Sequence, residues 1–307
     1  MNIFEALFPT TYMILLIGLV IGFIIALLMF GTISVFLFFL LVSAGVIRIK
    51  PIIDFINTCI QWLFPNICKQ LRTNIAKSFP VKVTHPLPNM GIYLIHPHGM
   101  FNISQAMHIG TKYTAWPERN IKGTVLDTIW NIPFSHEFLE SCVRSNYEDM
   151  KKVIDTRSSL IVCVGGISEM KRAQNNVFSL KLKGRKGVFK LALETGTHLV
   201  PVLVYGENEI FQPMKGVIIE YLTKIFGYFH IPMCLPTFES IYKTLNLIRE
   251  PYDIKIRTFI GEAIPVEKVE NPTGNHISIL RDTYMKSLIK LYDTTRPKEY
   301  PTKITFF

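Results

Sequence analysis

Gly91-Ile92-Tyr93-Leu94-Ile95-His96-Pro97-His98-Gly99-Met100 begins as a strand and ends as a turn. Ile92 to Ile95 is a short apolar run with a β-branched residue at each end, the pattern of a strand buried on both faces. Pro97 removes a backbone donor and fixes φ, so the strand should stop there. Gly99 supplies the conformational freedom that a tight turn needs. His98 is therefore expected at the mouth of a strand-to-loop transition, where open α/β sheets place their chemistry. Its unperturbed pKa lies close to neutrality, which suits a general base. On these residues alone two other readings stay open: a hydrogen-bonded structural histidine or, together with His96, half of a metal site. The metal reading is short of ligands, because zinc takes three or four and no Cys-x-x-Cys or His-x-x-x-His stands nearby.

Downstream, helical and strand patterns alternate. Phe101–Ile109 reads as a short helix and Glu137–Ile154 as a longer one. Leu160-Ile161-Val162-Cys163-Val164 is an all-apolar run of the kind found in parallel strands, and it ends in Gly165-Gly166 with Glu169 three residues on. Gly187–Thr195 reads as a helix closed by Gly196. Leu199–Tyr205 is the next buried strand, and Tyr252–Ile260 alternates as a strand. His276–Tyr292 carries Ile277, Leu280, Tyr284, Leu288 and Leu291 at helical spacing. Such alternation predicts an α/β fold, a mostly parallel sheet flanked by helices. Met214–Pro236 is apolar and aromatic. It fits a membrane-facing or substrate-lining segment as well as a core helix.

Upstream, no Asp, Glu, Lys or Arg occurs between Glu5 and Arg48, roughly twice the 20 or so residues that one membrane-spanning helix needs. The run predicts an N-terminal transmembrane hairpin or anchor within residues 1–50, either two arms (Thr11–Phe30 and Ile33–Ile47) or one long tilted helix. So many consecutive apolar residues leave no polar face for a soluble hairpin. Arg48 and Lys50 follow at once, which puts the rest of the chain on the cytosolic side. Residues 51–90 are expected to form an aromatic-rich interfacial connector with Trp62 at headgroup depth, and the remainder, residues 91–307, the main domain.

The chain has 307 residues, a net charge of +10 and a positive mean hydropathy of +0.29. A basic chain can seek nucleic acid, an anionic membrane surface or a phosphorylated substrate. No nucleic-acid motif is present, and the apolar N-terminus decides for the membrane. The five cysteines are scattered and odd in number, as free thiols in a reducing compartment would be.

Four stretches can meet: His96/His98; Gly165-Gly166 with Glu169; the basic run around Lys183, Arg185 and Lys186; and Val200-Pro201-Val202 leading to Gly206-Glu207-Asn208. Singly each is weak: a Gly pair is often a turn, a lysine run a solvated face, a carboxylate a helix cap. In this order, after an apolar N-terminus, the chain resembles the type 2 diacylglycerol O-acyltransferase family, which includes monoacylglycerol and wax-ester acyltransferases. The resemblance runs from about Gly91 to Tyr292. It rests on His-Pro-His-Gly, on Val164-Gly165-Gly166-x-x-Glu169, and on Arg185-Lys186-Gly187 followed by Lys190-Leu191-Ala192-Leu193. It rests further on Val-Pro-Val with Gly-Glu-Asn and on Gly261-x-x-Ile264-Pro265-Val266-Glu267. Two positions depart from the family's habit: Val188 where Phe is frequent, and the bulkier run Met100–Ser104 after the histidine motif.

The resemblance implies acyl transfer from acyl-CoA to diacylglycerol, with a monoacylglycerol or a long-chain alcohol as the alternative acceptor. A non-catalytic lipid-binding or scaffold role at a membrane or lipid-droplet surface is the alternative of another class. The wider glycerolipid acyltransferases pair their His with an Asp five residues on; here that position is Ile103, so any carboxylate that orients His98 must come from elsewhere, and Glu169 is the candidate. The implied roles are His98 as base with His96 as partner, backbone N–H groups near Gly99 or Gly165 and Gly166 as oxyanion donors, and Lys183, Arg185 and Lys186 on the coenzyme A phosphates. No metal and no cofactor beyond the acyl-CoA substrate is required. The expected partners are acyl-CoA, a lipid alcohol and the bilayer, with no nucleic acid; a homo-oligomer is compatible with the sequence. The expected location is the endoplasmic reticulum membrane, with access to lipid droplets.

Overall fold

A computed structural model describes residues 79–110, 116–117, 120–127, 141–228, 235–240 and 256–307. The expected transmembrane hairpin and the connector as far as residue 78 lie outside the described residues. Among the described residues no helix is long and apolar enough to cross a membrane.

In chain order the elements are β1 (Val81–Val83), β2 (Gly91–His96), α1 (Ile103–Gly110), β3 (Ile121–Val125), β4 (Cys142–Arg144), α2 (Tyr147–Asp155), β5 (Ser159–Val162) and α3 (Ile167–Met170). They continue with β6 (Ser179–Leu180), α4 (Gly187–Thr195), β7 (His198–Tyr205), α5 (Glu207–Ile210), α6 (Val217–Tyr228), β8 (Arg257–Ile260), α7 (Gly274–Thr295) and β9 (Thr305–Phe306). Seven strands form one sheet in the order β1-β8-β7-β2-β5-β3-β4, and β6 pairs with β9 apart from it. All neighbours in the large sheet run parallel except β7 and β8. The expected mostly parallel α/β sheet is therefore present, with a reversed edge.

The central strands are buried on both faces, as their unbroken apolar runs predict. Ile92 and Leu94 of β2 pack with Leu160 and Val162 of β5 beneath α4 and α7. Tyr93 and Ile95 point the other way, onto Ile161, Val200 and Val202. The Gly187–Thr195 helix has the expected bounds, and Gly196 closes it in the left-handed region (φ 66). The expected helix Glu137–Ile154 is corrected. Residues 137–140 lie outside the described residues; from 141 on, Cys142–Arg144 pairs as a parallel strand with Gly123–Val125, and helix begins at Tyr147, where Asn146 caps it by accepting the Asp149 N–H at 2.8 Å. Residues 81–83, expected within the connector, pair with β8 as the sheet's edge. In the apolar Met214–Pro236 segment, α6 leaves Val217 85% and Tyr221 65% exposed, with Ile225 exposed one turn further on. Those side chains, at i, i+4 and i+8, share one helix face, and the core reading does not hold for them.

Candidate active site

The sheet order explains how motifs far apart in sequence meet. β7, β2 and β5 are adjacent and parallel, with Leu94 level with Pro201 and Val162. Their carboxyl ends therefore open on one side, and the chain emerging there carries Pro97-His98-Gly99, then Cys163 to Gly166, then Gly206-Glu207.

His96, the last residue of β2, is fully buried. The Tyr284 hydroxyl of α7 donates its one proton to the Leu94 carbonyl at 3.2 Å, so His96 donates from Nε2 to the Tyr284 oxygen at 3.1 Å. Nδ1 of His96 is then bare. Among the described residues it has no hydrogen-bond partner, and it lies 3.9 Å from Glu169 Oε1. Burial holds the imidazole down to about 3, so the ring is neutral and the contact with Glu169 is no ion pair.

His98 follows the His96–Pro97 peptide, which is cis, and stands half-buried beyond the strand. Its Nδ1 lies 3.0 Å from the Gly99 carbonyl. A carbonyl only accepts, so Nδ1 carries the hydrogen and Nε2 presents a lone pair. Burial lowers the pKa of this ring, while the Gly99 carbonyl raises it. The result is a neutral histidine in the tautomer of a general base. Gly99 turns the chain with φ 60.

Glu169 is almost completely buried. Its Oε2 accepts the backbone N–H of His98 at 2.9 Å and its Oε1 that of Lys181 at 2.7 Å. Glu169, the candidate carboxylate for orienting His98, thus reaches it at the backbone N–H, and the ring's partner is its neighbour's carbonyl. Glu207, at the end of β7, is a second buried carboxylate. It accepts the N–H groups of Ile103 at 2.8 Å and Ser104 at 3.0 Å, and the Ser104 hydroxyl as well. Burial pushes the Glu169 carboxyl up to about 7, against the N–H groups of Lys181 and His98 and the charge of Arg185. Burial does the same to Glu207, also to about 7, against its bonds from Ser104 and Ile103.

Both carboxyl groups bind a proton more tightly folded than unfolded. Their stabilising contribution is therefore fully present below the ordinary value of 4.5 and is lost as pH rises through about 7. Glu169→Gln resembles the protonated acid. Its amide cannot ionise, so its stability relative to the parent is expected to rise by about 1–3 kcal/mol between pH ~5 and pH ~8, from a starting point lowered by the one backbone N–H, of His98 or Lys181, that the amide nitrogen cannot accept. Thermal melts across that range check this, and a difference that does not grow with pH sinks it.

Gly165 and Gly166 follow β5, with Gly166 at φ 53 before α3. Arg185 donates from Nη2 to the Gly165 carbonyl at 2.8 Å, so one end of its guanidinium holds the loop. Lys183 and Lys186, on either side, are exposed. Burial pushes the Cys163 thiol well up, Glu169 and Glu207 push the same way, and the backbone of Gly166 and Gly165 pulls back. This thiol stays protonated at neutral pH and is no nucleophile. Among the described residues no group of His, Cys, Asp or Glu could hold a metal ion.

The structure brings together His96, His98, Gly99, Gly165, Gly166, Glu169 and one end of Arg185. It leaves Lys183 and Lys186 on the surface. Sequence reading missed two members. Tyr284 looked like one more apolar residue of an amphipathic helix, and nothing in its spacing marks a hydroxyl that reaches another element. Glu207 stood in a noted stretch, but only strand adjacency connects it to the turn after His98.

The sequence model of the diacylglycerol acyltransferase family matches residues 63–304. Among curated proteins, the chain is 31% identical to 2-acylglycerol O-acyltransferase 1 of Bos taurus, over 67% of this chain and 65% of that protein. It is 28% identical to diacylglycerol O-acyltransferase 2 of Homo sapiens, over 72% of this chain and 61% of that protein. It is 29% identical to diacylglycerol O-acyltransferase 2-like protein 6 of Mus musculus, over 70% of each. The chain thus spans less than two thirds of the length of the first two. No solved structure matches it.

Proposed function

The chain belongs to the diacylglycerol acyltransferase family, and from that premise we propose that it transfers a fatty acyl group from acyl-CoA to the free hydroxyl of diacylglycerol, forming triacylglycerol. The observation that carries the reading is His98 with Nδ1–H committed to the Gly99 carbonyl at 3.0 Å and Nε2 left as acceptor at the end of the central strand.

In this mechanism the acceptor hydroxyl gives its proton to His98 Nε2 as its oxygen attacks the thioester carbonyl. The tetrahedral oxyanion is held by backbone N–H groups of the Gly99 turn or of Gly165-Gly166. Collapse expels coenzyme A as a thiol that takes the proton back from His98. No covalent acyl-enzyme is needed, in keeping with the protonated Cys163. Lys183, Lys186 and the remaining N–H groups of Arg185 meet the coenzyme A phosphates. Reaction and partners are those of an enzyme at the cytosolic face of the endoplasmic reticulum membrane or a lipid droplet. The exposed Val217, Tyr221 and Ile225 support a lipid-facing α6. A monoacylglycerol acceptor is the second reading, favoured by the likeness to the bovine 2-acylglycerol acyltransferase.

The test offers labelled oleoyl-CoA to membranes containing the full chain, with diacylglycerol, monoacylglycerol or hexadecanol as acceptor. Triacylglycerol is the expected main product. Diacylglycerol as main product would keep the chemistry and move the acceptor. Absence of any acylated product, with the protein folded in the membrane, would favour the non-catalytic lipid-binding reading.

A further inference from the structure

His98 is tied down from two sides. On one side Glu169 holds its backbone N–H at 2.9 Å. On the other, the turn that carries the Gly99 carbonyl runs into α1, and the first donors of that helix end on Glu207: the N–H of Ile103 at 2.8 Å, the N–H of Ser104 at 3.0 Å and the Ser104 hydroxyl. Helix N-termini leave such donors without intrahelical partners, and a carboxylate is the strongest acceptor for them. This cap is not local, because Glu207 lies more than a hundred residues along the chain and arrives from the neighbouring strand. It also touches the turn itself: a Cβ built on Gly99 would stand 2.7 Å from Glu207 Cγ and 2.8 Å from its Oε1. Glu207 and Ser104 are 2% and 0% exposed, so no water competes for these bonds. The Glu207 backbone is itself anchored, since Gly206 N–H donates to the Tyr300 hydroxyl at 2.8 Å and that hydroxyl donates to Glu209 at 2.5 Å.

We propose that Glu207 is a positioning residue for His98, acting through the turn Gly99–Asn102: it holds the turn so that the Gly99 carbonyl keeps the hydrogen on Nδ1 and the lone pair on Nε2. The inference rests on the reading of His98 as the base. Glu207 meets no reacting atom in it; it acts on the geometry of another residue.

Glu207→Gln in the full chain tests it, with kcat at saturating substrates, KM for acyl-CoA, and hydrogen exchange of the segment 99–104 as readouts. Positioning predicts a kcat lower by about 10–100-fold, an acyl-CoA KM within about twofold, and faster exchange confined to 99–104. Ser104→Ala removes one of the three donors and predicts the same pattern with a smaller loss, about three- to tenfold; it carries the test if Glu207→Gln fails to fold. A folded Glu207→Gln with unchanged kcat overturns the proposal. So does a loss of kcat that only follows faster exchange throughout the domain, which is what a purely structural cap would give. If His98→Ala is itself as active as the parent, the premise falls. If His98→Ala is inactive and Glu207→Gln is not, only this inference falls.

Discussion

Replacing His98 with alanine is expected to lower the acyl-transfer rate by about 100- to 10,000-fold, the range that a positioned general base supplies, with little change in stability. The two parts of that expectation have separate causes. The chemical part follows from the tautomer: only Nε2 is left to take a proton, and no other described side chain at the carboxyl ends of β2, β5 and β7 offers an equivalent acceptor. The Cys163 thiol is protonated, the bare Nδ1 of His96 is sealed in a fully buried ring that no acceptor hydroxyl can reach without opening the core, and both carboxylates are committed to backbone donors. The stability part follows from what the ring does not do. It is half-buried and, among the described residues, hydrogen-bonds only to its neighbour's carbonyl, whereas the bond from its backbone to Glu169 survives in alanine. His96→Ala makes the contrast, since it empties a buried site and leaves Tyr284 without its donor; a loss of stability of about 2–4 kcal/mol is expected there. Rates per folded molecule, with melting midpoints for both variants, check the pair. A His98→Ala protein that melts like the parent and still transfers acyl groups at the parent's rate would remove His98 from the mechanism.

Gly165→Ala should be nearly as damaging, by a different route. A Cβ there would stand 1.8 Å from Glu169 Cδ and 2.1 Å from its Oε1, so the carboxylate has to leave. An exposed glutamate would swing away at little cost, but Glu169 is 3% exposed and its two oxygens serve the N–H groups of His98 and Lys181. Displacing it breaks both bonds in a buried place and frees the backbone of His98. The expected result is a destabilisation of about 3 kcal/mol and a fall in rate of about 100-fold or more in whatever protein folds. Gly187→Ala is the control for stability: among the described residues nothing lies within 4 Å of its added Cβ, and alanine is the better helix former, so its melting midpoint should equal the parent's or exceed it slightly. Equal stability for Gly165→Ala and the parent would mean that Glu169 has room to move, and the account of the site's packing would be wrong.

Much of the fold was legible because buried parallel strands leave unbroken apolar runs, and because glycine and proline mark where they stop. Ile92–Ile95, Leu160–Val162 and Leu199–Tyr205 were found on that signal. Two kinds of element were not. Val81–Val83 and Ile121–Val125 carry lysines and a glycine that blur the strand pattern, and the sheet recruits them through partners that sequence does not display. Cys142–Arg144 reads as helix because the helical signal of the following residues runs into it, and the strand is decided by pairing with Gly123–Val125.

The site divides in the same way. The sequence by itself singled out residues that meet at the strand ends, namely His96, His98, Glu169 and the glycines, because special backbone conformations and ionisable groups beside apolar runs are visible as residue types. Only the tertiary structure decided what each one faces. Glu169 holds the backbone of His98, Arg185 spends one end of its guanidinium on the Gly165 carbonyl, Tyr284 arrives from α7 to set the tautomer of His96, and Glu207 closes the turn from β7. The physical reason is that strand order, which places β7 and β5 on either side of β2, is settled by packing the sheet's two faces, and no single run of residues records it.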